Sequence, residues 1–458
     1  MSPKFSDTAL FKNLDLIGVL LISFALLVTS ALIGSFMAYP LLAALILFIL
    51  MLMRRGFSLK SLLRMGFIGA RQSLPVVKVL LLIGMVTAVW MAAGTVPALV
   101  YYGTGLISPR FFILWAFLLT GAVSVLMGTS FGTVGTLGVA LMVMARSGGG
   151  DVDPVAGAII AGAFVGDRCS PMSSSAHLVA SVTHTSLYNN LRNMIRSSLW
   201  PLFLSLGFYA ALAIFYPVQL TDNTLTTALP EAFDLSVTTF LPAAAIVLLA
   251  LLRVDVKLSM LASIGLAVAI AHHLQHYSFI EIVQFTLFGY HLNDATPLST
   301  ILLGGGLLPM AKATLIVLLS TAFAGIFAGS RVLGCLDIWL NRIQTRRQLG
   351  GATVAIATLT NLFGCTQTIA ILLTGQIMQP HYQAYWQSEP ISDQQLALAL
   401  EDTAVVIAPI IPWNIAGLIP ATVLAVGPGF IPYMAYLLLL PLFAALRHSP
   451  VGKQKPVL

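Results

Sequence analysis

Between Gly162 and Asn190 the chain reads GAFVGDRCSPMSSSAHLVASVTHTSLYNN, setting an acid, a base, a proline and a run of hydroxyls inside otherwise apolar sequence. Asp167 can exchange a proton or ligate a cation. Ser170, Ser173, Ser174 and Ser175 can offer oxygens to a small ion or polar solute, and Pro171 leaves backbone carbonyls unpaired. His177 adds an imidazole whose unperturbed pKa of about 6.5 suits proton exchange. A second constellation lies far along the chain, where Glu401 and Asp402 precede Pro409, Pro412 and Asn414. Two polar patches accompany the acids, one with Thr129, Ser130 and Thr133 and one with Thr366, Gln367 and Thr368. Proton coupling is therefore sought at Asp167, Asp402, Glu401 and His177, and cargo binding among the hydroxyls, Gln367 and Asn414.

The elements that must position these groups are membrane spans. The chain has 458 residues, is 58% hydrophobic and only 9% charged, and has a mean hydropathy of +0.94, whereas soluble domains carry about 25% charged residues. A charge at the bilayer centre costs about 2.5 to 3.5 kcal/mol, so Asp167 and Arg168 must face protein or a water-filled cavity. Adjacent helix residues point about 100° apart, which gives the two different partners. The net charge of +7 comes from Lys and Arg scattered between apolar runs, and implies no nucleic-acid partner. Cys169, Cys335 and Cys365 lack metal or disulfide spacing, and no cofactor is expected.

Charge places the spans. Leu14 to Phe36 and Leu41 to Met53 form a first pair, and Arg54, Arg55, Lys60, Arg64 and Arg71 then mark a cytoplasmic segment. A span from Leu74 to Thr95 leads to an external connector, Val96 to Arg110. Phe111 to Ala145 is too long for one straight crossing and is interrupted by Gly128, Gly132, Gly135 and Gly138, which predicts a broken helix ending inside at Arg146. Arg192 and Arg196 mark another inner position, so Pro154 to Thr185 is expected to enter and return on one side. In the second half Arg253, Lys257 and the loop Arg331 to Arg347 are internal, while 272–297 is external. Thr353 to Met378 is broken by its polar patch, and Gln395 to Ala425 forms a second hairpin.

Aligning GTSFGTVGTLGVALM from Gly128 with GCTQTIAILLTGQIM from Gly364, at an offset of 236, matches glycine with glycine and Met142 with Met378. Similar order with opposite charge asymmetry is the mark of an inverted repeat. The expected fold is an all-α polytopic membrane protein with two inverted-topology repeats, each with a broken transmembrane helix and a hairpin entering the membrane. The repeats span 1–217 and 237–458, with an external linker at 218–236.

At these motifs the chain resembles the NhaC type of sodium/proton antiporter. The matching stretches are WMAAGTVPALVYYGTGLISPRFF from Trp90, GTSFGTVGTLGVALM from Gly128, GAIIAGAFVGDRCSPMSS from Gly157, GGGLLPM from Gly304 and LEDTAVVIAPIIPWNIAG from Leu400. The resemblance implies cation-coupled antiport in a prokaryotic cytoplasmic membrane with both termini inside. The cargo would be Na+ and H+ or a small solute, with Asp167 and Asp402 as transient sodium ligands; a homodimer is left open. The family motif G-D-K-x-S-P-x-S-D-T-T-N carries a second aspartate and an asparagine where this chain has Ser174 and His177. The second hairpin likewise loses hydroxyls between Glu401 and Pro409. Those departures imply weaker sodium binding, or coupling of a small organic acid or amino acid.

Other readings stand beside this one. Gly and Thr repeats are also ordinary packing at membrane helix interfaces, His177 is also read as a satisfied buried histidine, Lys312 as a snorkelling side chain, and His272, His273 and His276 as interface lining. An intramembrane enzyme using Asp167 and Asp402 as an acid pair has no hydrolase motif to support it. A channel would need a continuous pore.

Overall fold

The computed structural model describes residues 8–149, 151–217, 223–292, 302, 304–330, 332, 337–387 and 389–446; Arg331 and Cys335 lie outside them. The first half runs α1 Thr8–Ile33, α2 Ala38–Arg54, α3 Leu59–Gln72, α4 Leu74–Ala92, α5 Thr95–Leu106, α6 Phe112–Met127, α7 Ser130–Ser147, α8 Asp153–Cys169, α9 Ser174–Val182 and α10 Leu187–Phe215. The second runs α11 Asn223–Ala232, α12 Leu241–Leu251, α13 Val256–His273, α14 Phe279–Phe288, α15 Leu307–Gly329, α16 Arg346–Gly364, α17 Gln367–Trp386, α18 Glu389–Asp402, α19 Ile415–Val423 and α20 Ala435–Leu446. Seven described helices are long and apolar enough to cross a membrane, and the bent pair Pro390–Ile410 and Ile415–Val423 adds an eighth. The protein is a multi-pass, all-helical membrane protein.

Small residues set the closest packing. A methyl group added at Gly162 would come within 2.1 Å of the Thr120 hydroxyl, and one at Gly166 within 2.0 Å of the Ser124 carbonyl carbon. Increasing residue numbers meet increasing ones, so α6 and α8 lie parallel in contact. α7 returns along α8 in the opposite sense, with Gly138 against Ile159. Helices α6 and α7 thus form a hairpin that opens at the end where α8 begins, here called the upper end; Tyr216 and Tyr433 meet there with ring centroids 6.1 Å apart. At its tip, formed by Gly128 and Thr129, Gly128 rests on Met172. Helix α8 stops at Cys169, and after a short extended stretch the chain continues as α9.

The second half repeats this arrangement from the other end. Hydroxyl pairs Thr353–Tyr382 at 3.0 Å and Thr360–Thr374 at 2.8 Å join α16 and α17 as antiparallel arms. Their tip is Cys365 and Thr366, and their open end lies where Gly350 packs on Ala444 near the close of α20. Helix α18 rises from that lower end and, past its break, α19 climbs to the upper one.

The two motifs have therefore exchanged places in both halves relative to the sequence expectation: 112–147 and 346–386 are the hairpins, and 153–182 and 389–423 are the interrupted crossings. In the second half the polar patch Thr366 to Thr368 marks a hairpin tip, not a break in one crossing. In the first half Arg146 is a further cause. Its guanidinium donates to the Leu424 and Ala425 carbonyls just past α19, and Gly103 of the connector packs on Met144, so Arg146 belongs to the same end as the connector. The positive-inside rule counts cations left to solvent and headgroups, and this one is committed to helix-terminal carbonyls.

The basic segment after α2 is also more ordered than its charge suggested. Ser58 caps α3, accepting from the Ser61 N–H at 3.2 Å, and Leu62, Gly66 and Gly69 form a buried stripe. A methyl at Gly69 would lie 2.2 Å from the Thr321 carbonyl oxygen, so α3 is seated directly on α15, while Lys60, Arg64 and Arg71 stay exposed on its other face.

Candidate functional site

The two hairpin tips share one local design. Gly128 (φ 68°) and Cys365 (φ 50°) both adopt the left-handed conformation. Each is followed by an extended threonine that starts the returning arm, Thr129 capping the Gly132 N–H at 3.4 Å and Thr366 capping that of Ile369 at 3.1 Å. The equivalence places Gly128 opposite Cys365, an offset of 237 rather than 236. The interrupted helices match as well. Ser170 and Ile411 are extended, Ser173 and Asn414 are N-caps, and α9 and α19 have 9 residues each. Pro171 therefore corresponds to Pro412.

Where these pieces converge sits Asp167, 6% exposed. Its Oδ2 accepts from Gln367 Nε2 at 3.0 Å and from Ser175 Oγ at 3.4 Å, and both the backbone N–H and the hydroxyl of Ser130 address the carboxylate. Ser130 and Gln367 are the first helical residues of α7 and α17, so two helix N-termini from opposite halves face one acid, each favouring negative charge there. The Asp167 carbonyl accepts from Ser173 Oγ and, at 2.7 Å, from Ser175 Oγ. Gln367 also donates to the Val405 carbonyl at 3.3 Å, which ties the second interrupted helix to the same point. The resulting oxygen set is one carboxylate and three hydroxyls, with the Gln367 amide presenting its nitrogen.

Arg168 turns away, as adjacent residues on a helix must. It is fully buried and forms an ion pair with Asp402 of α18. Its other donations go to Ser197 Oγ at 2.6 Å, Tyr436 OH at 3.3 Å, the Met194 carbonyl at 3.3 Å and Ser198 Oγ. Ser197 reinforces the pair by donating to Asp402 Oδ1 at 3.1 Å. Glu401, one residue earlier, is likewise fully buried, yet among the described residues neither of its carboxyl oxygens has a hydrogen-bond partner.

The remaining sequence candidates divide between scaffold and surface. Thr133 donates back to the Thr129 carbonyl at 2.9 Å, and Ser170 locks the turn by donating to the Val125 carbonyl at 2.7 Å. Asn414 is a clasp: its Nδ2 reaches both the carbonyl and side-chain oxygens of Asn361 at 3.1 Å, and its Oδ1 accepts from the Ala416 N–H. Ser174, His177 and Thr368 are exposed and are not brought to Asp167; His177 Nδ1 instead meets the Ser173 carbonyl at 2.7 Å. Asn361, Ser197, Ser198 and Tyr436 were not singled out as site residues. Tyr436 carries the one available signal, a lone hydroxyl in the apolar run AYLLLLPLFAAL.

The Na+/H+ antiporter family matches this sequence over residues 8–181 and again over 162–446. The chain belongs to that family. It is similar to the Na+/H+ antiporter NhaC of Alkalihalophilus pseudofirmus, with 29% identity over 80% of each chain. It is also similar to the malate-2H+/Na+-lactate antiporter of Bacillus subtilis, with 27% identity over 89% of this chain and 88% of that one. The arginine/ornithine antiporter ArcD of Halobacterium salinarum is 28% identical over 80% of this chain and 77% of its own. This antiporter is a transporter of the NhaC type and not an enzyme. The acid pair of the enzymatic reading is also split, since Asp167 is held by Gln367 and Asp402 by Arg168.

Proposed function

We propose that this antiporter exchanges sodium for protons across a prokaryotic cytoplasmic membrane, with the Asp167 cluster as its cation site. The observation that carries this reading is one buried carboxylate at the junction of both hairpin tips, surrounded by Ser130, Ser173, Ser175 and Gln367. A hard cation takes oxygen ligands, and turning the Gln367 amide to present Oε1 completes such a set. Helices broken at a shared site, with their N-termini aimed at it, are how secondary transporters build binding positions.

The two hairpins, opening at opposite ends, support a pair of inverted-topology repeats over 1–217 and 237–458, with 218–236 as external linker. The basic residues Arg54, Arg55, Lys60, Arg342, Arg346 and Arg347 gather toward the lower end, which supports a cytoplasmic placement of that end and of both termini. Asp402 is held by Arg168 rather than left open to a cation, which supports Asp167 as the sodium ligand. The exposed positions of Ser174 and His177 remove the support they lent to an organic cargo.

The test is dissipation of a pH gradient in everted vesicles on adding sodium, lithium or potassium, followed by malate, lactate, arginine and ornithine. Collapse of the gradient with sodium or lithium is the expected result. A response confined to one of the organic solutes would replace this reading with solute-coupled antiport.

A further inference from the structure

Two neighbouring carboxyl groups on α18 stand in opposite circumstances. Asp402 has an arginine and a serine on Oδ1. Glu401 is fully buried and, among the described residues, has no donor on either oxygen. The arginine that serves Asp402 is not fully used: both Nη atoms of Arg168 are engaged, but its Nε, also buried, has no acceptor among the described residues. A cation with a spare N–H thus lies within electrostatic reach of an acid with no partner. A buried group stays ionised only when paired and hydrogen-bonded, so a bare Glu401 is accommodated as the neutral acid, and its ionised form requires a donor to be brought to it.

We propose that Glu401 carries the proton of the exchange cycle and that Arg168 is its counterion, turning its free Nε–H to Glu401 when that proton leaves for water while Nη2 stays on Asp402, and turning back when the proton is taken up. This rests on the cation-for-proton reading above and adds a proton site separate from Asp167. The guanidinium presents five N–H donors in a fixed fork, so one arginine can serve two carboxylates. Residues 401 and 402 project about 100° apart on α18, so bringing Nε to Glu401 with Nη2 still on Asp402 requires α8 and α18 to turn or slide against each other. Those are the interrupted helices of the two halves, so loss of the proton is linked to movement at the cation site. The titratable and charged groups facing Glu401 are Arg168 and Asp167 from α8 and Asp402 from its own helix, with Tyr436 of α20 joined to the group through Arg168.

The experiment uses the full chain in proteoliposomes, with infrared difference spectra recorded across pH for the wild type, Glu401→Gln and Glu401→Asp, beside the vesicle assay. The proposal expects a carbonyl band of a protonated carboxyl in the wild type that vanishes at alkaline pH, is absent in Glu401→Gln and is displaced in Glu401→Asp. Exchange in Glu401→Gln should fall by about a hundredfold or more, while sodium still raises its melting temperature. Arg168→Lys, which keeps the charge but offers no Nε–H, should keep the band and lose exchange. Identical spectra in wild type and Glu401→Gln, or wild-type exchange in Glu401→Gln, overturns the proton assignment, and wild-type exchange in Arg168→Lys overturns the counterion role. Because the band is read without any cargo, a chain that ignores sodium would refute the proposed function while the Glu401 assignment was still decided. If Glu401→Gln fails to fold, the displaced band in Glu401→Asp decides it.

Discussion

The two hairpin tips have the same backbone path but not the same residues. Gly128 leaves no room for a side chain: an added methyl would sit 2.5 Å from Met172 Cβ. Cys365 holds the same left-handed conformation with a side chain, buried to 1% exposure, whose Sγ contacts the Leu362 and Phe363 carbonyls. Past the tip, the first arm begins with Ser130 and the second with Gln367, and both reach Asp167. The acids differ too. The first interrupted helix carries Asp167 beside Arg168, whereas the second carries Glu401 beside Asp402, so the fixed cation comes from one half and its anion from the other. The halves share a shape, and the chemistry lies in where they depart from each other.

The largest expected effect comes from breaking that cross-half pair. Arg168→Met should cost about 3 to 5 kcal/mol by leaving Asp402 buried without its cation, read as a lowered melting temperature in detergent. Arg168→Met with Asp402→Leu should recover most of that loss, since apolar replacement of both partners of a buried pair is often neutral, yet should remain inactive in exchange. A double variant no more stable than the single one would mean that the pair is not the main link between the halves.

A smaller effect should separate the tips. Gly128→Ala meets both a left-handed backbone, costing about 1 to 2 kcal/mol, and a crowded Met172, costing about 1 to 3 kcal/mol more. Cys365→Gly relieves the backbone while giving up the Sγ contacts, so its melting temperature should move less. Equal losses at the two positions would show that the tips are packed alike.

Much of the site was legible because polarity is costly in an apolar chain. Asp167, Ser130, Ser173, Ser175 and Gln367 stood out on that ground, and the structure assembles them. Ser174 and His177 stood out equally but share α9 with Ser175, and a turn of about 100° per residue carries them to the exposed face. The partnership of Arg168 with Asp402, 234 residues away, left no local trace. Arg146 misled for the opposite reason, since a basic residue capping distant carbonyls resembles, in sequence, a basic residue at the cytoplasmic face. The segment after α2 was read from its charges, whereas the spacing of Leu62, Gly66 and Gly69 already described a helix face. The tip equivalence was off by one because glycine was aligned with glycine, while the structure aligns left-handed residue with left-handed residue.

If the carboxylate of Asp167 is the cation site, Asp167→Asn removes it with little change of shape. Sodium-driven pH-gradient dissipation should be measured in everted vesicles holding matched amounts of folded wild-type and Asp167→Asn protein, together with the sodium dependence of melting temperature for each. The variant should insert and fold but show neither exchange nor stabilisation by sodium. Exchange at the wild-type rate, with sodium stabilisation intact, would contradict a cation site at Asp167.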